Sequence, residues 1–288
     1  MNYGDNMINL ICACTDLGVH IDGTQEGPRE IARLINKKNI NEKIFITKNN
    51  VIKEKNKTNL KKNFDEIKLF LNNLYNEVNN SIKSNNFPIT LGGDHTVAIS
   101  SILASLNNND DLGVIWIDAH ADFNTFETTE TGNIHGLPLA ASGGLCKDLT
   151  NHFATKYINP KKCVIVGARS IDKEELSNLK KHNVTYFSTI DIREKGINTI
   201  LDKAFEITGE NVHISYDLDV IDPNIAPGVS VPEINGINEE EALEIINYLR
   251  TKKDIIESFD LVEYNPSFDN NNKTLNIALK LLNKLIDD

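Results

Sequence analysis

Leu112-Gly113-Val114-Ile115-Trp116-Ile117-Asp118-Ala119-His120-Ala121-Asp122 is an apolar run that ends in three metal-type ligands at every second residue. Successive side chains of a strand point to opposite faces, so Asp118, His120 and Asp122 emerge on one side if the extended path continues. Val212-His213-Ile214-Ser215-Tyr216-Asp217-Leu218-Asp219-Val220 repeats the design, with Asp217 and Asp219 two residues apart after a second apolar run. Taken singly, an Asp or His after a strand more often caps a helix or holds a turn. Taken together, four carboxylates and a histidine on the strand ends of one buried sheet concentrate like charge unfavourably unless cations neutralise it. Carboxylate and imidazole ligands without thiolate suit manganese, iron or zinc.

A third element supplies another ligand. Phe87 to Leu91 has the pattern of a short buried strand, and Gly92-Gly93-Asp94-His95-Thr96 follows it, with glycines that permit a tight turn and leave His95 at the strand's carboxyl end. Working outward, apolar runs at Met7 to Ala13, Ile44 to Thr47, Gly113 to Asp118, Cys163 to Gly167, Thr185 to Phe187, Val212 to Asp217 and Ile256 to Val262 predict further strands. Helical spacing predicts helices over Pro28 to Lys37, Leu60 to Lys83, Val97 to Leu106, Lys173 to Lys181, Asn198 to Thr208, Glu239 to Leu249 and Lys273 to Leu285. The alternation implies an α/β fold, a three-layer αβα sandwich on a mainly parallel central sheet. Ligands then belong beyond the carboxyl ends of the strands, where the three clusters fall. The segment Asn36 to Asn86 is rich in Asn and Lys, yet Ile67, Phe70, Leu71, Leu74, Val78 and Ile82 keep the spacing of a solvated amphipathic helix.

With 288 residues and 40% hydrophobic content the chain can bury one large core, and residues 1–288 are expected to form a single catalytic domain. A net charge of −11 without a clustered basic stripe argues against nucleic acid and favours a small cationic substrate. Cys12, Cys14, Cys146 and Cys163 have neither zinc-finger nor redox spacing. The run Met7 to Ala13 is too short for a membrane span and lacks the basic region of a signal peptide, so a cytoplasmic protein without membrane contact is expected.

The three clusters together resemble the signature motifs of the ureohydrolase family of arginases, agmatinases and formimidoylglutamases. The likeness runs from Gly27-Pro28-Arg29 to Glu263-Tyr264-Asn265-Pro266. It implies two Mn2+ per chain: His95 and Asp122 as ligands of one ion, His120 and Asp219 as ligands of the other, and Asp118 and Asp217 as bridges between them. In the loop that runs from Phe123 to Pro138 the resemblance is to arginases in particular. It implies that Asn124, Thr129, Thr131 and Asn133 hold the α-carboxylate of the substrate and that His135 shuttles protons. Asp172 and Glu175 match the positions that bind the α-amino group, although acids there also suit the first turn of a helix. Glu263 matches the guanidinium-binding carboxylate, whose acceptor pair suits a planar donor fork. Family members are commonly trimers or hexamers, which implies a homo-oligomer.

The resemblance therefore implies hydrolysis of the guanidinium C–N bond of L-arginine to L-ornithine and urea, with Asp122, His135 and Glu263 as the catalytic set. The chain departs from the arginase pattern where Ser230-Val231-Pro232 stands in place of the usual Gly-Thr-Pro, which removes a hydroxyl near the site. Ala226 to Ser230, and Asn265-Pro266-Ser267-Phe268-Asp269 with Thr274, resemble formimidoylglutamases somewhat more. The alternatives are formimidoylglutamase or agmatinase action on a related amidine or guanidine, and a non-catalytic sensor of arginine or metal. The complete ligand set speaks against the sensor.

Overall fold

The computed structural model describes residues 7–35, 37–48, 53–54 and 59–287. Eight strands form one sheet: β1 (Ile8–Cys14), β2 (Ile40–Thr47), β3 (Phe87–Gly92), β4 (Gly113–Ile117), β5 (Cys163–Ala168), β6 (Thr185–Ser188), β7 (Val212–Asp217) and β8 (Ile256–Val262). Their spatial order is β2-β1-β3-β8-β7-β4-β5-β6, and every pairing is parallel. All eight expected strands are present. The sheet is parallel throughout the described residues, because each return to the same edge passes through a helix or a long connection.

The central strands β1, β3, β4, β7 and β8 are buried along their whole length, as a sheet covered on both faces requires. One apolar cluster joins the sheet to the helices Gly27–Leu34, Ile197–Thr208, Glu239–Arg250 and Lys273–Ile286. Two others lie against Phe64–Lys83 and Ala98–Asn108. In Phe64–Lys83 the stripe Ile67, Phe70, Leu71, Leu74, Val78 and Ile82 is buried as its spacing predicts. Each such side chain contributes about 1.5–3 kcal/mol of hydrophobic stabilisation.

Some element boundaries differ from expectation. The first helix ends at Leu34, short of Lys37, and the stretch between them includes residue 36, which lies outside the described residues. The long helix begins at Phe64 because Asn63 takes a left-handed φ of 52° that breaks the helical path upstream. Of the Asn- and Lys-rich segment, residues 49–52 and 55–58 also lie outside the described residues. All four cysteines are buried free thiols, with Cys12 and Cys14 in β1. Among the described residues no helix is long and apolar enough to cross a membrane.

Candidate metal centre and substrate cleft

The order β3-β8-β7-β4 sets four strand ends side by side, and the predicted ligands converge there. His95 opens the helical turn after β3, and Asp94 fixes that turn by accepting the Thr96 N–H at 3.0 Å. Asp217 ends β7, with Asp219 in the turn that follows. Asp118, His120 and Asp122 follow β4, but not along an extended path. The strand stops at Ile117, the His120 N–H folds back onto Asp118 Oδ1 at 2.6 Å, and Asp122 sits at φ 48°. Left-handed backbone at a non-glycine residue costs about 1–3 kcal/mol and clusters at functional sites. Glu263, just beyond β8, has φ 66° as well.

His95 Nδ1 lies 3.0 Å from Asp118 Oδ2, 3.0 Å from Asp217 Oδ2 and 3.3 Å from Asp122 Oδ2. It is fully enclosed and yet makes no hydrogen bond of acceptable geometry to any of them. A buried ring nitrogen with three carboxylate oxygens within 3.3 Å of it and no hydrogen bond to any of them suits the surroundings of a cation. His120 Nδ1 lies 2.9 Å from Asp219 Oδ2 and 3.4 Å from Asp118 Oδ1. Two groups result, His95-Asp118-Asp122 and Asp118-His120-Asp219, each with ligand atoms within 4.8 Å of one another. Asp118 belongs to both.

The electrostatics carry the same message. Burial, then the neighbouring Asp118 charge, pushes the Asp122 carboxyl well above the usual range; burial and Asp219 do the same to Asp217. Burial would raise Asp118 too, but the adjoining His120 and His95 imidazoles outweigh it and hold that carboxyl below the usual range. Burial disfavours the His120 cation, and the Asp219 and Asp118 charges overcome it, raising the imidazole well above its ordinary value. Such a cluster retains protons unless cations replace them.

Several supporting contacts had not been singled out in the sequence. His95 stacks on Trp116 with ring centres 3.9 Å apart and planes 7° from parallel. The indole Nε1–H donates to Asp118 Oδ2 at 2.9 Å, and His95 Nε2 meets Ser215 Oγ at 2.8 Å. On the other histidine, Nε2 of His120 faces Glu233 Oε1 at 3.7 Å. Ser215 was discoverable, because it alternates with Asp217 on one face of β7. Glu233 had no local signal, since only the tertiary fold brings it to His120.

A cavity of about 220 Å³ opens over this floor. Its lining includes His120, Asp122, Asp217, Asp219 and Glu263, and also Asn124, Thr129, Thr131, Asn133, His135, Asp172 and Glu175. His95 and Asp118 lie beneath. Glu263 Oε1 accepts the His95 N–H at 2.9 Å and meets His135 Nδ1 at 3.1 Å. Asp172 has both of its expected characters: Oδ1 caps the helix Lys173–His182 through the Glu175 N–H at 2.7 Å, and Oδ2 accepts from Asn124 Nδ2 at 2.8 Å within the cleft. Glu175 Oε1 accepts the Phe123 N–H at 2.8 Å, tying the helix to the start of the loop. Burial raises its carboxyl to about 7, against the pull of that hydrogen bond. Val231 also lines the cavity, so the departure from the family pattern faces the site. Asn265 and Thr274, by contrast, hold loops together, through Ser230 Oγ at 3.0 Å and the Gly228 N–H at 2.7 Å.

A family model described as the arginase family matches residues 6–287. The chain belongs to the arginase family. Its sequence is 36% identical over 295 residues to the arginase of Bacillus subtilis strain 168, covering 98% of each chain. A 1.7 Å crystal structure of arginase from the same species is similar with a TM-score of 0.90, 34% identity and 99% of both chains covered. The arginase of Entamoeba histolytica in complex with L-ornithine is similar with a TM-score of 0.89, 29% identity and coverage of 98% of this chain and 99% of that one. The arginase-family fold thus extends over essentially the whole chain.

Proposed function

We propose that this chain is an arginase, hydrolysing the guanidinium C–N bond of L-arginine to give L-ornithine and urea with two Mn2+ per chain. His95 and Asp122 would hold one ion and His120 and Asp219 the other, with Asp118 and Asp217 as ligands common to both. Two divalent ions at such a site supply the positive charge that makes water nucleophilic near neutral pH. Glu263 receives the planar guanidinium through its carboxylate. Asp122 takes the proton of the attacking water and returns it to the leaving amine as the C–N bond breaks. His135, partly exposed and in contact with Glu263, exchanges protons with solvent.

The observation that carries the proposal is the convergence of two opposite polarities on one cleft with the ligand cluster. Thr131 Oγ1 accepts the Asn133 N–H at 3.2 Å and Thr129 Oγ1 accepts the Gly132 N–H at 3.1 Å, which leaves both hydroxyl protons to point at a substrate carboxylate. Asp172 and Glu175 offer carboxylates to an ammonium. A free α-amino acid has both groups, whereas agmatine lacks the carboxylate. The same reading makes the protein a cytoplasmic homo-oligomer, a trimer or hexamer, in keeping with four cysteines held as free thiols. Elemental analysis with a urea assay tests it. Two manganese ions per chain and urea release from L-arginine that a chelator abolishes are expected; one tightly bound ion with full activity after exhaustive chelation contradicts it.

A further inference from the structure

The residues just before the helix Phe64–Lys83 are built onto the loop that lines the cleft. Gly132 has φ 69°, and a Cβ there would stand 2.4 Å from the Asn59 carbonyl oxygen and 2.7 Å from Leu60 Cα, so the two backbones touch. Phe64 meets Phe126 edge to face with ring centres 5.7 Å apart, and the Lys61 ammonium lies 5.2 Å and 4.6 Å from those rings. Asn63 Nδ2 donates to the Leu17 carbonyl at 2.7 Å, anchoring the segment to the loop after β1. Between these contacts the Lys62 ammonium donates to the backbone carbonyl of Thr131.

Lys62 is only 6% exposed, and among the described residues its ammonium forms no ion pair. A buried cation answered only by a neutral carbonyl is costly, all the more conspicuous in a chain of net charge −11. The cost falls when an anion settles nearby. Thr131 and Asn133, on either side of Gly132, both face the cleft. We infer that Lys62 is a positioning residue for the carboxylate end of the substrate, fixing the backbone that carries Thr131 and Asn133 and placing a positive charge behind it. This rests on the reading of the cleft as an amino-acid site.

Three variants test the inference. Lys62→Met keeps the aliphatic stem and removes both donor and charge, Lys62→Gln keeps a donor without charge, and Lys62→Arg keeps both. The expected result for Lys62→Met is a KM for L-arginine about tenfold higher with kcat within about twofold of the parent, because ground-state and transition-state binding are lost alike. The inhibition constant of agmatine, which has no carboxylate, and the manganese content stay unchanged. Lys62→Gln falls between the parent and Lys62→Met, and Lys62→Arg recovers most of the loss. An unchanged KM for L-arginine in Lys62→Met, or equal losses for L-arginine and agmatine, overturns the inference and leaves the arginase assignment standing. Absence of urea release from L-arginine by the unaltered protein overturns both.

Discussion

Replacing Ser215 with Ala removes one hydroxyl from the floor of the site and should weaken manganese binding without rebuilding the ligands. His95 presents Nδ1 to the three carboxylates, so its proton sits on Nε2 and Ser215 Oγ, 2.8 Å away, is the acceptor. The ring is buried against Trp116, and no water can take the place of the hydroxyl without a cavity to hold it. A buried donor left without a partner costs about 1–3 kcal/mol, or roughly 5- to 150-fold in an equilibrium constant. The imidazole escapes that cost by moving its proton to Nδ1, the nitrogen a cation needs, so the loss appears as metal affinity. Loss of a partner behind a ligating histidine typically weakens metal binding by about 10- to 100-fold, which agrees. Manganese titration of the apoprotein should show that weakening, with kcat recovering at saturating manganese. Unchanged affinity, or loss of kcat at full occupancy, refutes the tautomer argument.

Asp217→Ala is expected to empty the site and lower turnover by orders of magnitude, because Asp217 joins the ligand atoms around His95; His135→Ala should keep its manganese and lose far less rate, since buffer can substitute for a proton shuttle. Metal analysis alongside kcat decides this, and a metal-free His135→Ala beside a filled Asp217→Ala would reverse the two assignments. Glu175, raised by burial to about 7, binds an ammonium only when ionised, so the KM for L-arginine should rise as pH falls and reach roughly ten times its pH 8 value at pH 6. Glu175→Gln should flatten that rise while raising KM at pH 8, and a flat KM profile in the parent would contradict the role given to Glu175.

Much of this site was legible because its chemistry lies at the ends of strongly apolar strands. Gly113 to Ile117 and Val212 to Asp217 announce buried strands, and the acids that follow have no apolar reason to be there. Shape was less legible than identity. Asp118, His120 and Asp122 look like a strand continuing at period two, whereas the backbone turns at Asp118 and Asp122 is left-handed. The edge strand Ile40–Thr47 is legible only in its second half, because the polar run Asn41-Glu42-Lys43, with Asn41 and Glu42 exposed and the Lys43 ammonium held by the Ala32 and Ile35 carbonyls, masks the alternation. The short helix Thr189–Lys195 carries a capping box, Ser188 with Asp191, but too few turns to display a period. Lys62 could not be read at all, since nothing in Asn-Leu-Lys-Lys-Asn distinguishes a lysine bound to a distant carbonyl from its solvated neighbour.

The most direct test is a comparison of kcat/KM for L-arginine, agmatine and N-formimidoyl-L-glutamate with the manganese-loaded protein. Each polar group of the cleft left without its partner costs about 1–3 kcal/mol, so the loss of the carboxylate contacts to Asn124, Thr131 and Asn133 should separate L-arginine from agmatine strongly. L-Arginine is predicted to be turned over most efficiently, with urea and L-ornithine as products. Faster turnover of agmatine or of the formimidoyl compound would contradict the arginase assignment.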